Sequence, residues 1–168
     1  MRHICKWSAL GICMVLALLT FFLVVPGLFG IYPLIVQSRS MEPVYPVGSL
    51  LYVKESPSDG SKLLEGETAT FYLPDHETLV THRVVSIDWD REEIRTKGDA
   101  NEFEDELSTS FSNVKGIPFL CIPYMGYIAG YLSGTLGKFG IFLMVILVFI
   151  LSWMDGSMFQ EQKKMQKI

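Results

Sequence analysis

Hydrophobic and polar positions divide this chain into three parts. No Asp, Glu, Lys or Arg occurs from residue 7 to residue 38, and between Lys115 and Asp155 the only such residue is Lys138. Within these stretches, residues 8–29 and 137–154 (GKFGIFLMVILVFILSWM) are apolar over about the 20 residues that a membrane-spanning helix needs. The first run exceeds the roughly 7–15 apolar residues of a cleaved signal peptide, and no Ala-x-Ala follows it, so it reads as an uncleaved anchor. Just before the second run, the sequence IPFLCIPYMGYIAGYLSGTLG is apolar too, but Pro118, Pro123 and four glycines interrupt it. It reads as a last buried strand followed by an interfacial segment, with Tyr124, Tyr127 and Tyr131 at headgroup depth.

Between the apolar runs the pattern changes to short β-branched and aromatic stretches. Strands are predicted at residues 49–53 (SLLYV), 68–73 (TATFYL), 79–89 (LVTHRVVSIDW) and 94–97 (IRTK), with a hairpin turn around residues 88–90. Residues 55–67 read as a surface loop and the acidic run 102–106 as a solvated face. The expected fold is therefore mainly β: a small antiparallel β domain flanked by N- and C-terminal transmembrane helices. Its parts are a cytoplasmic N-terminus (1–7), an anchor (8–29), an extracytoplasmic β domain (30–123), an interfacial segment (124–136), a transmembrane helix (137–154) and a basic tail (155–168).

Composition and charge sharpen this picture. The chain has 168 residues, 49% of them hydrophobic, and a mean hydropathy of +0.32. Residues 37–118 carry eight Lys/Arg against sixteen Asp/Glu, a net charge of −8. Such a domain repels phosphate, which excludes nucleic acid as its partner. Arg2, His3 and Lys6 precede the first span, and the tail QEQKKMQKI holds three lysines against one glutamate. The positive-inside rule then puts both termini in the cytoplasm and the acidic domain on the other side. Two of the three cysteines, Cys5 and Cys13, belong to the first anchor region and Cys121 lies near the second. There is no disulfide framework and no zinc-type Cys/His spacing, so neither a metal nor a cofactor is expected.

Candidate chemistry starts at Ser40, in QSRSMEP, where the chain first turns polar. Pro43 keeps Glu42 out of helical conformation, so Ser40 sits in an extended or turn segment at the membrane-proximal edge of the domain. A serine hydroxyl is a weak nucleophile and needs a base. His3 is on the other side of the membrane and His76 lies in a solvated turn. His82 lies inside a strand, with Val80 and Val84 on its face. That surrounding also suits a hydrogen-bonded core histidine with no chemical role. Asp99 and Asp105 could each orient the imidazole, but sixteen acids share this region, and singly none is distinctive.

Together these residues resemble signal peptidase I, in the branch found in the endoplasmic reticulum, archaea and some Gram-positive bacteria. The motifs are Ser-x-Ser-Met-x-Pro at 38–43, Thr-His-Arg-Val at 81–84, and Lys-Gly-Asp-x-Asn at 97–101 followed by Asp105. Ala100 stands where this family often has Asn. The resemblance implies a serine endopeptidase that removes signal peptides from secretory preproteins after small-x-small sites. Ser40 matches the nucleophile. His82 matches the general base, where most bacterial relatives carry lysine. Asp99 and Asp105 match the two acids of the last motif, Asp105 being preferred as the residue that orients His82. Ser38 matches an oxyanion-binding hydroxyl. Shallow apolar pockets near Met41, Val44 and Leu51 are expected to accept the small side chains.

The resemblance also implies an integral protein of a bilayer. A full second anchor favours the plasma membrane of a Gram-positive bacterium or an archaeon over the endoplasmic reticulum. Three rival readings are weaker. Self-cleaving repressor-like peptidases share the Ser-Met start, but they are soluble and use lysine. A non-catalytic bitopic scaffold with a peptidase-like domain does not account for the intact Ser40, His82, Asp99 and Asp105. A transporter lacks both the spans and the intramembrane charge.

Overall fold

A computed structural model describes residues 11–15, 18, 21, 25–57, 59–135, 137–146 and 149. The expected cytoplasmic N-terminus and basic tail lie outside these residues, as do parts of both expected spans. The chain divides into one compact unit, Pro26–Gly130, and another formed by its two ends, Met1–Val25 with Tyr131–Ile168. In the second unit, residues 11–15 and 137–146 are helical. Among the described residues no single helix is long and apolar enough to cross a membrane; Met125–Ser133 and Gly137–Ile146 have the length and hydropathy only as a bent pair.

The Pro26–Gly130 unit is built on one sheet. Its strands are β1 (Ile31–Ile35), β2 (Leu50–Glu55), β3 (Thr68–Tyr72), β4 (Leu79–Asp88), β5 (Glu93–Lys97), β6 (Thr109–Ser110) and β7 (Val114–Ile122). They lie in the order β1-β2-β7-β3-β4-β5-β6, and every neighbouring pair is antiparallel. The four expected strands correspond to β2–β5, and the expected last strand to β7. β1 and β6 are additional. In β1, Pro33 has no N–H to give to a ladder, and the strand pairs on one side only, against β2, where a proline is tolerated.

Alternation along the strands builds the core. Ala69 stands opposite His82 and Phe71 opposite Val80 across β3 and β4. Val84 stands opposite Thr96 of β5. These positions face a cluster of Leu63, Ala69, Phe71, Val84, Ile94, Phe111 and Val114, with Leu73, Val80 and Ile87 at its margin. A bulge between Val84 and Ser86 returns Ile87 to this face. His82 thus belongs to the core face and is only 8% exposed. At the other end of the sheet, the start of the helix Met125–Ser133 packs on residues 48–49. The Gly126 N–H donates to the Gly48 carbonyl at 2.9 Å, and a Cβ on Gly126 would lie near the Ser49 carbonyl.

Candidate active site

β4 carries two charged or titratable neighbours, His82 and Arg83, which alternation sends to opposite faces of the sheet. Each finds a carboxylate from the segment after β5. The His82 Nδ1–H donates to Asp105 Oδ2 at 2.6 Å. Arg83 makes a two-pronged contact with Asp99, Nε to Oδ1 at 2.7 Å and Nη2 to Oδ2 at 2.6 Å. A third guanidinium N–H reaches the Gly66 carbonyl at 2.6 Å. The hydrogen bonds that the guanidinium donates to Asp99, and the carboxylate's charge, hold the Arg83 pKa above its ordinary value despite partial burial.

Asp105 is held from two directions. Thr96 Oγ1 donates at 2.6 Å to the same Oδ2 that His82 occupies. The Asp105 N–H donates to the Thr96 carbonyl at 2.8 Å. Thr96 has no exposed surface. Its hydroxyl lies on the core face of β5, two residues beyond Ile94, and needs a partner there. With Nδ1–H committed to a carboxylate, the neutral ring has its lone pair on Nε2, and Nε2 has no hydrogen-bond partner among the described residues. The Phe71 ring packs edge-to-face with the imidazole, with centroids 6.3 Å apart and planes 75° apart.

Ser40 lies in a turn after β1, and the segment that supplies Asp99 grips its backbone. The Ala100 N–H donates to the Ser40 carbonyl at 2.8 Å. A Cβ on Gly98 would come within 2.7 Å of the same oxygen. The Asp99 N–H points at Met41 Sδ, 3.4 Å away. Met41 is 3% exposed. Ser40 is thereby tied to the segment whose Asp99 pairs with Arg83 of β4. Its hydroxyl shares a hydrogen bond with Ser38 Oγ at 3.2 Å. No hydrogen bond joins Ser40 to His82 in this structure.

A cavity of about 550 Å³ opens at Ser40. Residues 34–38 form one wall and 77–81 the other, with Met41, Tyr45 and Leu51 at its base. Consecutive strand residues can line one cavity only by presenting their edge to it. Both edges are open: β1 is the end strand, and β5 pairs with β4 only from Arg83 onward. Of the three expected pocket residues, Met41 and Leu51 line the cavity. Val44 does not and is 47% exposed. The neighbouring Tyr45 lines it instead, fixed by a 2.9 Å hydrogen bond between its hydroxyl and Thr68 Oγ1. The structure thus pairs Ser38 with Ser40, His82 with Asp105, and Asp99 with Arg83. Thr96, Arg83, Gly98 and Tyr45 were not anticipated. An inward-facing Thr beside a strand histidine was the available signal for Thr96. No group of His, Cys, Asp and Glu suited to a metal occurs among the described residues.

Comparison with known proteins gives one finding that bears on this geometry. The chain is 40% identical over 92 residues to signal peptidase I W of Bacillus subtilis (strain 168). The matched stretch is 54% of this chain and 47% of that protein, so the chain spans about half the length of this relative. The likeness supports a relationship to signal peptidase I. No protein-family model matches the chain.

Proposed function

We propose that this protein is a membrane-bound serine endopeptidase that removes signal peptides from exported preproteins. Ser40 is the nucleophile, His82 the general base, and Asp105 the carboxylate that holds the imidazole. The observation that carries the reading is the 2.6 Å bond from His82 Nδ1–H to Asp105 Oδ2, on the strand that walls the Ser40 cavity. It leaves Nε2 as the basic nitrogen, the tautomer a general base requires. The likeness to signal peptidase I W adds support from outside the geometry.

The reaction follows from these groups. The Ser40 hydroxyl, resting on Ser38 in the free protein, turns to His82 as substrate binds; such contacts tighten in the complex. Ser40 Oγ attacks the scissile carbonyl carbon while Nε2 takes the proton. The imidazolium, stabilised by Asp105, then protonates the leaving amine as the C–N bond breaks. Water attacks the resulting ester with His82 again as base, and Ser40 regains its proton. The Ser40 N–H and the Ser38 hydroxyl are the donors for the oxyanion. In a known serine protease one such donor accounts for about 2.7–4 kcal/mol. Asp99 acts at a distance: its pair with Arg83 holds residues 98–100 against the Ser40 carbonyl.

Substrate selection follows from the two open edges. An extended peptide lying between them gains main-chain hydrogen bonds on both sides. Its alternate side chains then point to one face. The first and third residues before the cut thus meet the floor formed by Met41, Tyr45 and Leu51, which excludes large groups, while the second points away. This is the small-x-small pattern. The apolar runs 8–29 and 137–154 anchor the protein, with both termini cytoplasmic and the β domain outside. The Bacillus relative fits a bacterial plasma membrane. The test is to incubate the full-length protein in liposomes with a preprotein bearing Ala-x-Ala and to sequence the new N-terminus. A cut after the second Ala, abolished by Phe at the first or third position, is expected. A cut elsewhere, or indifference to Phe, contradicts the reading.

A further inference from the structure

The end of the cavity away from Ser40 carries a feature that the small-x-small pattern does not use. Ser40 follows the end of β1, and the successive antiparallel pairings set β1 parallel to β4, so Ser40 lies at the end toward which β4 runs. β4 leads back from there through Thr81 and Leu79 to the turn that contains Glu77, which also lines the cavity. From Thr81, the last residue of β4 to line the cavity, four residue steps lead back to Glu77, up to about 13 Å at the rise of a β-strand. Glu77 therefore stands beyond Leu79, at the opposite end from the nucleophile.

The turn fixes the backbone of Glu77 but leaves its charge free. Asp75 Oδ1 accepts the N–H groups of Glu77 at 3.0 Å and Thr78 at 2.9 Å, and Oδ2 accepts the Thr78 hydroxyl at 2.6 Å. Leu73 N–H closes the turn on the Thr78 carbonyl at 2.9 Å. Asp75 is thus spent on holding the turn. The Glu77 carboxylate has no hydrogen-bond or ion-pair partner among the described residues. No Lys or Arg lines the cavity, and Thr78, next to Glu77, is uncharged.

We infer that Glu77 forms a subsite for a basic side chain, selecting substrates with Lys or Arg about four to six residues before the cut. The inference rests on the peptidase reading above and adds a charge preference to it. A solvent-exposed ion pair of this kind is worth about a two- to five-fold preference and is screened by salt.

The test uses the full-length protein in liposomes and a preprotein with Gln at the fourth, fifth and sixth positions before its Ala-x-Ala cut. Lys or Glu replaces each Gln in turn. Wild type is expected to cut a Lys substrate about two- to five-fold better than its Glu counterpart, by kcat/KM, at one of these positions. Glu77→Lys should invert that ratio, Glu77→Gln should bring it to one, and added salt should shrink it. A ratio of one at all three positions in wild type overturns the inference while leaving the peptidase reading intact, and so does a preference that Glu77→Lys leaves in place. Wild type that fails to cut the Gln parent contradicts the peptidase reading itself, and this inference with it.

Discussion

The His82 imidazole and the Asp105 carboxylate meet at 2.6 Å, and Thr96 reaches the same carboxylate oxygen. One oxygen thus fixes the ring of the only histidine on the core face of β4. On the proposed mechanism, Asp105→Asn presents the wrong group to Nδ1 and turns the lone pair away from the nucleophile. In a related triad this exchange lowers kcat by about 10⁴-fold. A fall of that order is expected, measured as single-turnover cleavage of a preprotein.

Thr96→Val removes a buried donor and leaves part of the Asp105 charge unpaired. A stability loss of about 1–3 kcal/mol is expected from denaturant unfolding, with a smaller rate loss than for Asp105→Asn. Thr96→Ser keeps the hydroxyl and should restore most of the rate. Equal rates for Val and Ser would show that the hydroxyl does not act through Asp105.

Gly98→Ala should separate activity from folding. Its Cβ would fall 2.7 Å from the Ser40 carbonyl oxygen, a backbone atom, and 2.7 Å from Asn101 Nδ2. Asn101 can swing away, but the Ser40 backbone must shift. Misplacing a reacting group by about 1 Å costs on the order of 10²-fold. A kcat loss of that size is expected while the far-ultraviolet circular dichroism is retained.

The Arg83–Asp99 pair is the structural counterpart. Its side chains are 35% and 16% exposed, and charge-assisted hydrogen bonds contribute about 1.5–3 kcal/mol. Asp99→Asn should lower stability by that order. Arg83→Lys should not rescue the pair, because an ammonium cannot reproduce the two-pronged contact. Urea midpoints of the three proteins decide this.

The turn at Asp75 gives a pH signature. The Thr78 hydroxyl and the N–H groups of Thr78 and Glu77 hold the Asp75 pKa below the ordinary carboxylate value. A depressed folded-state pKa means that the turn's contribution is fully present above the unfolded-state value. It is lost as pH falls through the folded-state value. Wild type should therefore lose stability on acidification below the ordinary aspartate range more steeply than Asp75→Asn, in melting curves across that range.

Much of the domain was legible because its strands are short, β-branched and punctuated by turns. β1 was hidden because IYPLI continues the apolar run of the first anchor and contains a proline. Only its edge position makes it a strand. β6 is two residues long and has no periodicity to read. Ser40, His82 and the two acids could be picked out as candidates through the resemblance of their ordered motifs to signal peptidase I. The division of labour between Asp99 and Asp105 could not, because it depends on His82 and Arg83 facing opposite sides of β4. Tyr45 replaces Val44 at the cavity for a similar reason: the turn after Ser40 has no strand period from which to infer direction. The proposed anchors follow from composition, and both extend beyond the described residues.

The central claim is that Ser40 attacks and His82 takes its proton. The direct measurement is cleavage of an Ala-x-Ala preprotein by the full-length protein in liposomes, comparing wild type with Ser40→Ala, His82→Ala and His82→Lys. Wild type should release the mature protein, with a transient acyl-enzyme on Ser40 visible by mass spectrometry. Both alanine variants should lose the cut, and the remaining activity of His82→Lys reports whether an amine can serve at that position. Undiminished cleavage by Ser40→Ala would contradict the account.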